Sequence, residues 1–456
     1  MYIKVKLGTL VILAALAALC AGLVYATWDN PTPDRLASLI IESSPNYDDR
    51  IDVTPRGYSY THPRASKRSD EQLLADTLTM VEEYPDHRWT KANGAYTLGH
   101  LYLKMGEREQ ALAWFKQAVG VNEDAARWVE MMEPTETSPE QLSLSGRVLL
   151  DGKPGSDVIV YLRPVDTNHW YSPGYRHYPA VMTNRDGEYR IYGASPGRYE
   201  VGVAVLPEQL EGLVRTESPE EPVSVASGSP QTLDVRFVPK LQTVSPGDGT
   251  QIDDEQLRFV WEPYPGAASY RVNIQPIQRD EQGRLSGTTT HGLQESWTGT
   301  EAIYTIDELR GYPEGISSDM EGPKPSSILG VVYPGGLFSW SVDAYDEQGL
   351  KLSSSSTYYA AYAGRLPIFS LSDRDQLAGD RYVLARDWER AIEAYRQEGD
   401  RQDAIRALGR IYAIGTGSSG EGKDSQLALD YFSRLTELSP YDERLVDMLQ
   451  PEEPEE

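Results

Sequence analysis

Cysteine is almost absent from this 456-residue chain: the single Cys20 allows no internal disulfide and no thiolate metal site. Phenylalanine is scarce as well, at 6 against 29 Tyr and 9 Trp, so most large rings carry a polar handle suited to half-exposed β surfaces and binding faces. Basic residues are outnumbered, 43 Lys+Arg to 69 Asp+Glu. The resulting net charge of −26 disfavours nucleic acid, whose binding rests on neutralising phosphates with a basic patch. Histidine is limited to 6 residues (His62, His87, His100, His169, His177 and His291). None of them builds HExxH, and no two fall at i, i+4 on a helix, so no histidine metal motif exists. There is no GxSxG elbow, and the lone Cys lies in a hydrophobic segment, so serine- and cysteine-hydrolase motifs fail. The expectation is a protein with no catalytic residues, no cofactor and no metal, and not an enzyme. At roughly 150 residues per domain the length suggests about three domains.

Long hydrophobic runs are missing except for one. Lys4 and Lys6 precede an uncharged stretch from Leu7 to Ala26, close to the ~20 residues that span a bilayer. Residues 1–26 therefore read as a signal anchor, with cleavage after Val24-Tyr25-Ala26 as the alternative. Leu19 before Cys20 is not the small residue of a bacterial lipoprotein signal. The positive-inside bias keeps Lys4 and Lys6 in the cytoplasm and places the bulk outside it. The expected location is the cell membrane, single-pass through residues 7–26, or a secreted form after cleavage near Ala26. An exported chain with no cysteine beyond this region fits a bacterial envelope. Residues 27–67, rich in Pro, Ser and charge, read as a flexible stalk.

From Ser69 the pattern becomes helical: Leu73, Leu74, Thr77, Leu78 and Val81 recur at helical spacing until Tyr84-Pro85-Asp86. A second helix carries Leu98, Gly99 and Tyr102, and a third carries Ala111, Phe115 and Ala118. Gly99 and Ala111 suit a close approach of antiparallel helices, with Tyr102 and Phe115 filling the space between them. This spacing resembles the tetratricopeptide repeat (TPR), with Ala95 and Glu123 standing at its Trp and Pro positions. The pattern returns at the far end. Gly379, Tyr382, Ala391 and Tyr395 form one repeat, with Glu398 where a small residue belongs. Leu408, Gly409, Tyr412, Ala428, Phe432 and Pro440 form another. Its long turn with Gly415, Gly417 and Asp424 resembles the Sel1-like variant. Solenoids need about three repeats, so the two segments either pack on neighbouring β domains or meet each other.

Between them the period falls to two. Gly146-x-Val148, Gly152-x-Pro154, Thr183-x-x-Asp186-Gly187-x-Tyr189 and Pro196-Gly197-x-Tyr199 resemble the carboxypeptidase regulatory-like (transthyretin-like) β-sandwich, a module that is non-catalytic in that family. Phe259, Trp261, Tyr270, Val272 and Ile274, with Phe338 to Ala344 later, resemble a fibronectin type III-like sandwich. The stretch 276–330 is longer and more polar than that family needs.

The expected fold is multi-domain α plus β, with TPR/Sel1-like helices at both ends of two central β-sandwiches. The boundaries are 1–26 (anchor or signal), 27–67 (stalk), 68–135 (TPR-like helices), 141–240 (carboxypeptidase regulatory-like sandwich), 241–366 (fibronectin type III-like sandwich), 372–449 (TPR/Sel1-like helices) and 450–456 (acidic tail). Two lookalikes are set aside. Gly417 to Lys423 reads GxxxxGK but follows a helical segment, and Asp424 replaces the Ser/Thr that would hold Mg²⁺. The Asp151-Gly152 and Asp186-Gly187 turns lack the spacing of a Ca²⁺ loop. His100, beside the small TPR positions, reads as a repeat-surface residue.

One segment has the composition of a binding hot spot. Between two strands of the first sandwich, Trp170, Tyr171, Tyr175, Arg176, His177 and Tyr178 gather on a Gly/Pro-bent loop. Against this stands the alternative that the rings fold back onto the sandwich edge or a TPR helix. The expected function is a non-enzymatic, membrane-tethered extracytoplasmic scaffold with protein partners in the cell envelope. The alternative is a carbohydrate or cell-wall (glycan) binder using residues 168–178.

Overall fold

Alternating buried and half-buried residues build two sandwiches, and each is joined to its own helical layer. The computed structural model describes residues 50–59, 69–87, 90–133, 141–166, 175–279, 285–286, 290–313, 317–319, 321–356, 358 and 367–450. The expected anchor 7–26 and the tail 451–456 lie outside them, and among the described residues no helix is long and apolar enough to cross a membrane. The chain divides into two compact units, residues 1–211 with 218–237, and residues 212–217 with 238–456.

The first unit opens with the hairpin β1 (Ile51–Thr54) and β2 (Gly57–Ser59). Helices α1 (Asp70–Glu83), α2 (Ala95–Lys104), α3 (Arg108–Ala118) and α4 (Glu123–Met132) follow. Ser69 starts α1 through a capping box with Gln72. Strands β3 (Leu142–Leu150), β4 (Lys153–Pro154), β5 (Ile159–Pro164), β6 (Ala180–Met182), β7 (Glu188–Tyr192) and β8 (Gly197–Val205) come next. After β9 (Leu213–Arg215), which belongs to the second unit, β10 (Val223–Val225), β11 (Gln231–Thr232) and β12 (Val235–Pro239) return to the first sandwich. One sheet runs β2-β1-β8-β5-β6 with β10 beside β8; in the other, β3 is flanked by β7 and β4 and, in parallel, by β11 and β12. Asp151 and Gly152 both take positive φ, 50° and 72°, in the β3–β4 turn, a backbone demand that favours an Asp-Gly pair.

One expectation changes here, and one alternative is decided. Residues 51–59, assigned to the flexible stalk 27–67, are sheet: β1 pairs antiparallel with β8, Ile51 opposite Val205 and Val53 opposite Val203. Four residues of alternation amid proline and charge are too few to signal a strand, and the pairing partner lies about 150 residues away in sequence. The β5 sequence is buried along almost its whole length, from Ile159 to Arg163. Such a run means both faces are covered. Its neighbour on one side is the second sheet. On the other, Ile159, Tyr161, Met182 and Ala204 share one apolar cluster with Leu103, Phe115, Trp128 and Met131 of the helices. The first helical segment thus packs on its sandwich. Arg108 reinforces the joint: its guanidinium pairs with Asp157 and donates to the carbonyls of Thr183 at 3.1 Å and Met132 at 2.9 Å.

In the second unit, β13 (Thr243–Ser245), β15 (Gln256–Trp261) and β20 (Glu301–Thr305) form one sheet. The other contains β14 (Thr250–Ile252), β16 (Ser269–Pro276), β19 (His291–Gly292), β23 (Leu337–Tyr345), β24 (Lys351–Ser354) and β25 (Ile368–Leu371). Tyr270, Val272 and Ile274 of β16 and Phe338, Trp340, Val342 and Ala344 of β23 are buried in a core with Phe259 and Trp261. The sandwich ends later than residue 366, because β25 pairs with β23 and lies parallel to β14. The polar stretch 276–330 supplies the short hairpins β17 (Gln278–Arg279) with β18 (Leu285–Ser286) and β21 (Ser318–Asp319) with β22 (Gly322–Pro323). It also supplies helices α5 (Ile306–Arg310) and α6 (Pro325–Leu329).

Helices α7 (Ala378–Leu384), α8 (Trp388–Gln397), α9 (Gln402–Ile414), α10 (Ser425–Ser433) and α11 (Pro440–Leu449) complete the unit. The same device holds the hairpins in both units. A Cβ built on Gly99 would meet the Phe115 ring at 2.6 Å, on Gly379 the Tyr395 ring at 2.3 Å, and on Gly409 the Phe432 ring at 2.8 Å. Each glycine leaves the space its partner ring fills. The C-terminal helices are seated on the α5–α6 insertion by a buried ion pair. Arg410, 1% exposed, donates to Asp442 Oδ1 at 2.8 Å and to the Ile328 carbonyl at 3.1 Å, and lies over the Tyr441 ring. Tyr441 donates its hydroxyl to the Ser327 carbonyl at 2.8 Å, and Arg406 supplies Asp442 with a second partner at 2.8 Å.

Burial alone would raise the proton affinity of Asp442. The charge of Arg410, the hydroxyl of Ser439 and the charge of Arg406 outweigh it and hold its pKa below the ordinary 3.8. A depressed carboxylate stabilises the fold above its unfolded-state pKa and loses that contribution as pH falls through the folded value. Acid denaturation is therefore expected to begin to erode the second unit only below about pH 4, and Asp442→Asn should lower stability at pH 7 while flattening the acid slope. An unchanged slope would count against this pair. In the first unit, Gly99→Ala should cost about 1–3 kcal/mol in chemical denaturation, because the Phe115 ring has no room to retreat.

Candidate functional site

The sequence singled out residues 168–178, and the structure describes the second half of that segment. Trp170 and Tyr171 lie outside the described residues; Tyr175, Arg176, His177 and Tyr178 lie within them. Tyr175 to His177 make one 3₁₀ turn. Tyr175 is buried, edge-on to Trp128 with ring centres 6.2 Å apart, and its N–H donates to Asp52 at 3.3 Å. Tyr178 stacks on Tyr161 at 5.8 Å. These two rings fold back on α4 and on the sheet, whereas Arg176 and His177 remain exposed.

Arg127 on α4 fixes the turn. Its guanidinium donates to the carbonyls of Tyr175 at 2.8 Å and Tyr178 at 2.9 Å, and also to that of Arg176. One side chain thereby orders a run of backbone that pairs with no strand among the described residues. Beneath it lies an aromatic layer. Trp128 stacks on Phe115 at 5.4 Å, and His100 meets Phe115 and Trp128 edge-on at 5.1 and 4.6 Å. The expectation for His100 is corrected: it is 3% exposed, a ring of the helical core rather than of the repeat surface. The face of α2 that bears it turns towards Trp128, which lies one helix beyond the two-helix motif that framed the reading.

A cleft of about 540 Å³ opens beside this turn. Its walls are Arg127 and Glu130 of α4, Arg176 and His177 of the turn, and Val181 of β6 opposite Ile191 of β7. Glu130 is the sole carboxylate among the described residues that line it. In a chain of net charge −26 this is a local cationic rim. The sequence signalled Arg176 and His177 by composition. Arg127 and Glu130 lacked any signal, since each looks like an ordinary charge on a helix face.

The second unit has a cleft of about 420 Å³ lined by Arg310, Asp380, Asp403, Arg406 and Arg410. Its arginines are matched within the fold: Arg310 pairs with Asp403 at 3.3 Å, and Arg406 and Arg410 pair with Asp442. Burial raises the pKa of Asp380, which accepts the Tyr395 hydroxyl at 2.6 Å and the Leu377 N–H at 3.0 Å. This is packing of one helical hairpin. The GxxxxGK turn is likewise filled from within. It follows helix α9, and the Glu421 carboxylate accepts the Ser419 N–H at 3.0 Å where a phosphate would need backbone donors free. Among the described residues no group of His, Cys, Asp and Glu is placed to hold a metal ion.

Comparison with known proteins agrees on part of the first helical segment. Residues 92–124 match the tetratricopeptide repeat, the stretch from the approach to α2 into the start of α4. No curated protein matches the chain. Among solved structures, a DUF3823 family protein from Bacteroides ovatus is 14% identical, covering 47% of this chain and 96% of that one, with a TM-score of 0.15. A DUF3823 family protein from Parabacteroides merdae is 10% identical over 50% of this chain and 98% of that one, at a TM-score of 0.15. BcpA, the major pilin subunit of Bacillus cereus, is 9% identical over 50% and 68%, at a TM-score of 0.17. TM-scores of this size do not establish a shared fold.

The role given to Arg127 is checkable. Arg127→Leu removes three charge-assisted bonds, each of a kind worth about 1.5–3 kcal/mol. Amide hydrogen exchange across residues 175–182 should accelerate at least tenfold while α2 and α3 keep their protection. Unaltered exchange there would show that the turn holds itself.

Proposed function

We propose that this chain is a non-enzymatic scaffold of the cell envelope, tethered by residues 7–26 with its bulk outside the cytoplasm, and that it engages protein partners through the first unit. The observation that carries the reading is the tetratricopeptide match at 92–124, together with the way its helices are used. Phe115, Trp128 and Met131 turn inwards onto β5 and β6, so the repeat's apolar face is spent on the sandwich. What it leaves for partners is the rim it builds with the neighbouring turn, where Arg127, Glu130, Arg176 and His177 meet. The apolar run at 7–26 supports the tether, because it is close to the length that spans a bilayer and is preceded by Lys4 and Lys6.

A photo-crosslinking residue placed at His177, in cells, tests this. Discrete adducts with one or a few proteins are expected from that position and not from Glu82 on the exposed side of α1. The same ladder of abundant proteins from both positions would contradict the reading.

A further inference from the structure

We infer that the cleft beside β6 is a docking site for an extended, acidic peptide segment of a partner protein, which joins the sheet as an additional strand. The inference rests on the scaffold reading and gives it a site and a partner chemistry.

The backbone makes the first argument. Strand β6 ends the order β2-β1-β8-β5-β6, and among the described residues no strand pairs with its outer side. Its inner side is fixed by the ladder with β5, which sets Val160 opposite Val181. The Thr183 N–H donates to the Val158 carbonyl at 2.8 Å, and the Leu162 N–H to the Pro179 carbonyl at 3.3 Å. In an antiparallel pair, residues that exchange hydrogen bonds alternate with residues that do not. Residues 179, 181 and 183 therefore face β5, and the N–H and C=O groups of Ala180 and Met182 point away from it. An edge of this kind is a template for a further strand, and proteins that leave one open ordinarily blunt it with charge, proline or a cover. Here Pro179 stands just before the strand, and the cleft of about 540 Å³ runs along Ala180 and Val181.

The side chains make the second argument. Strand addition draws affinity from main-chain bonds and specificity from pockets that meet alternate side chains. An incoming strand beside β6 would lay one set of side chains against Val181 and Ile191, and the other towards the rim. That rim holds Arg127, Arg176 and His177 against Glu130. Arg176 and His177 are exposed groups of that rim, and an incoming carboxylate would meet them there. The net charge of −26 repels an acidic partner at a distance, but screening confines that field to about 8 Å at physiological salt, and the nearest charges then decide. An alternating apolar and acidic segment fits both walls.

The test uses the full purified chain and fluorescein-labelled octapeptides read by anisotropy. One peptide alternates Val and Glu, a second alternates Val and Lys, and a third repeats the first with every second backbone nitrogen methylated. The Val/Glu peptide is expected to bind at least tenfold tighter than the Val/Lys peptide. It should weaken as salt rises, and lose at least tenfold with Arg176→Glu. Backbone methylation should cost at least tenfold on the unaltered chain, and Ala180→Pro should do the same by removing an outward N–H while sparing the bonds of Val181. Equal binding of Val/Glu and Val/Lys, or binding indifferent to methylation, would overturn the proposal, as would no binding of the Val/Glu peptide. If the peptides fail while position 177 still gives discrete crosslinks in cells, the docking mode is wrong and the scaffold reading stands. If both fail, the scaffold reading falls with it.

Discussion

In the first unit a single apolar seam, in which Leu103, Phe115, Trp128 and Met131 of the helices meet Ile159, Tyr161, Met182 and Ala204 of the sheet, sets the positions of everything around it. Two or three repeat helices cannot enclose a core by themselves, and a sheet with β-branched and aromatic residues on both faces cannot face water. Each therefore covers the other. Tyr161 lies on this seam and at the same time requires Gly202 beside it, where a Cβ would sit 2.1 Å from its ring. Tyr161 also carries the stack on Tyr178, so the turn at 175–178 inherits its place from the seam.

The second unit meets the same constraint with different means. Its helices are longer in total but are also joined to their sandwich, through the α5–α6 insertion and the Arg410–Asp442 pair. A buried ion pair adds little net stability by itself, yet removing one partner strands the other charge. Its value is geometric: one guanidinium touches α11 through Asp442 and the insertion through Ile328. A second, more exposed pair repeats the theme, since Arg386 holds Asp319 of the β21–β22 hairpin with two bonds of 2.6 and 2.7 Å and brings its pKa to about 2.

Much of this is written in local sequence, and the missing parts share one cause. Gly99 with Phe115, Gly379 with Tyr395 and Gly409 with Phe432 were legible because partners in a helical hairpin lie within a fixed, short spacing. The Asp151-Gly152 turn was legible for the same reason. The hairpin at 51–59, the late strand at 368–371, the buried place of His100, and the roles of Arg127 and Arg410 were not. His100 depends on a ring one helix beyond the two-helix motif and the others on partners farther along the chain, and charge on a helix looks alike whether it faces water or a neighbour's carbonyl. The aromatic segment was half legible: its composition marked the place, but burial of Tyr175 against Trp128 makes that ring part of the support, leaving Arg176 and His177 to face outwards.

The central claim is that helices α2–α4 and the first sandwich form one cooperative body that presents the cleft as a rigid rim. Native-state hydrogen exchange in low denaturant tests it most directly. The slowest amides of α3 and of β5 are expected to merge onto one opening free energy with the same denaturant dependence. Helical amides that open at a lower free energy, with β5 still protected, would show the repeats to be an independent attachment and would contradict it.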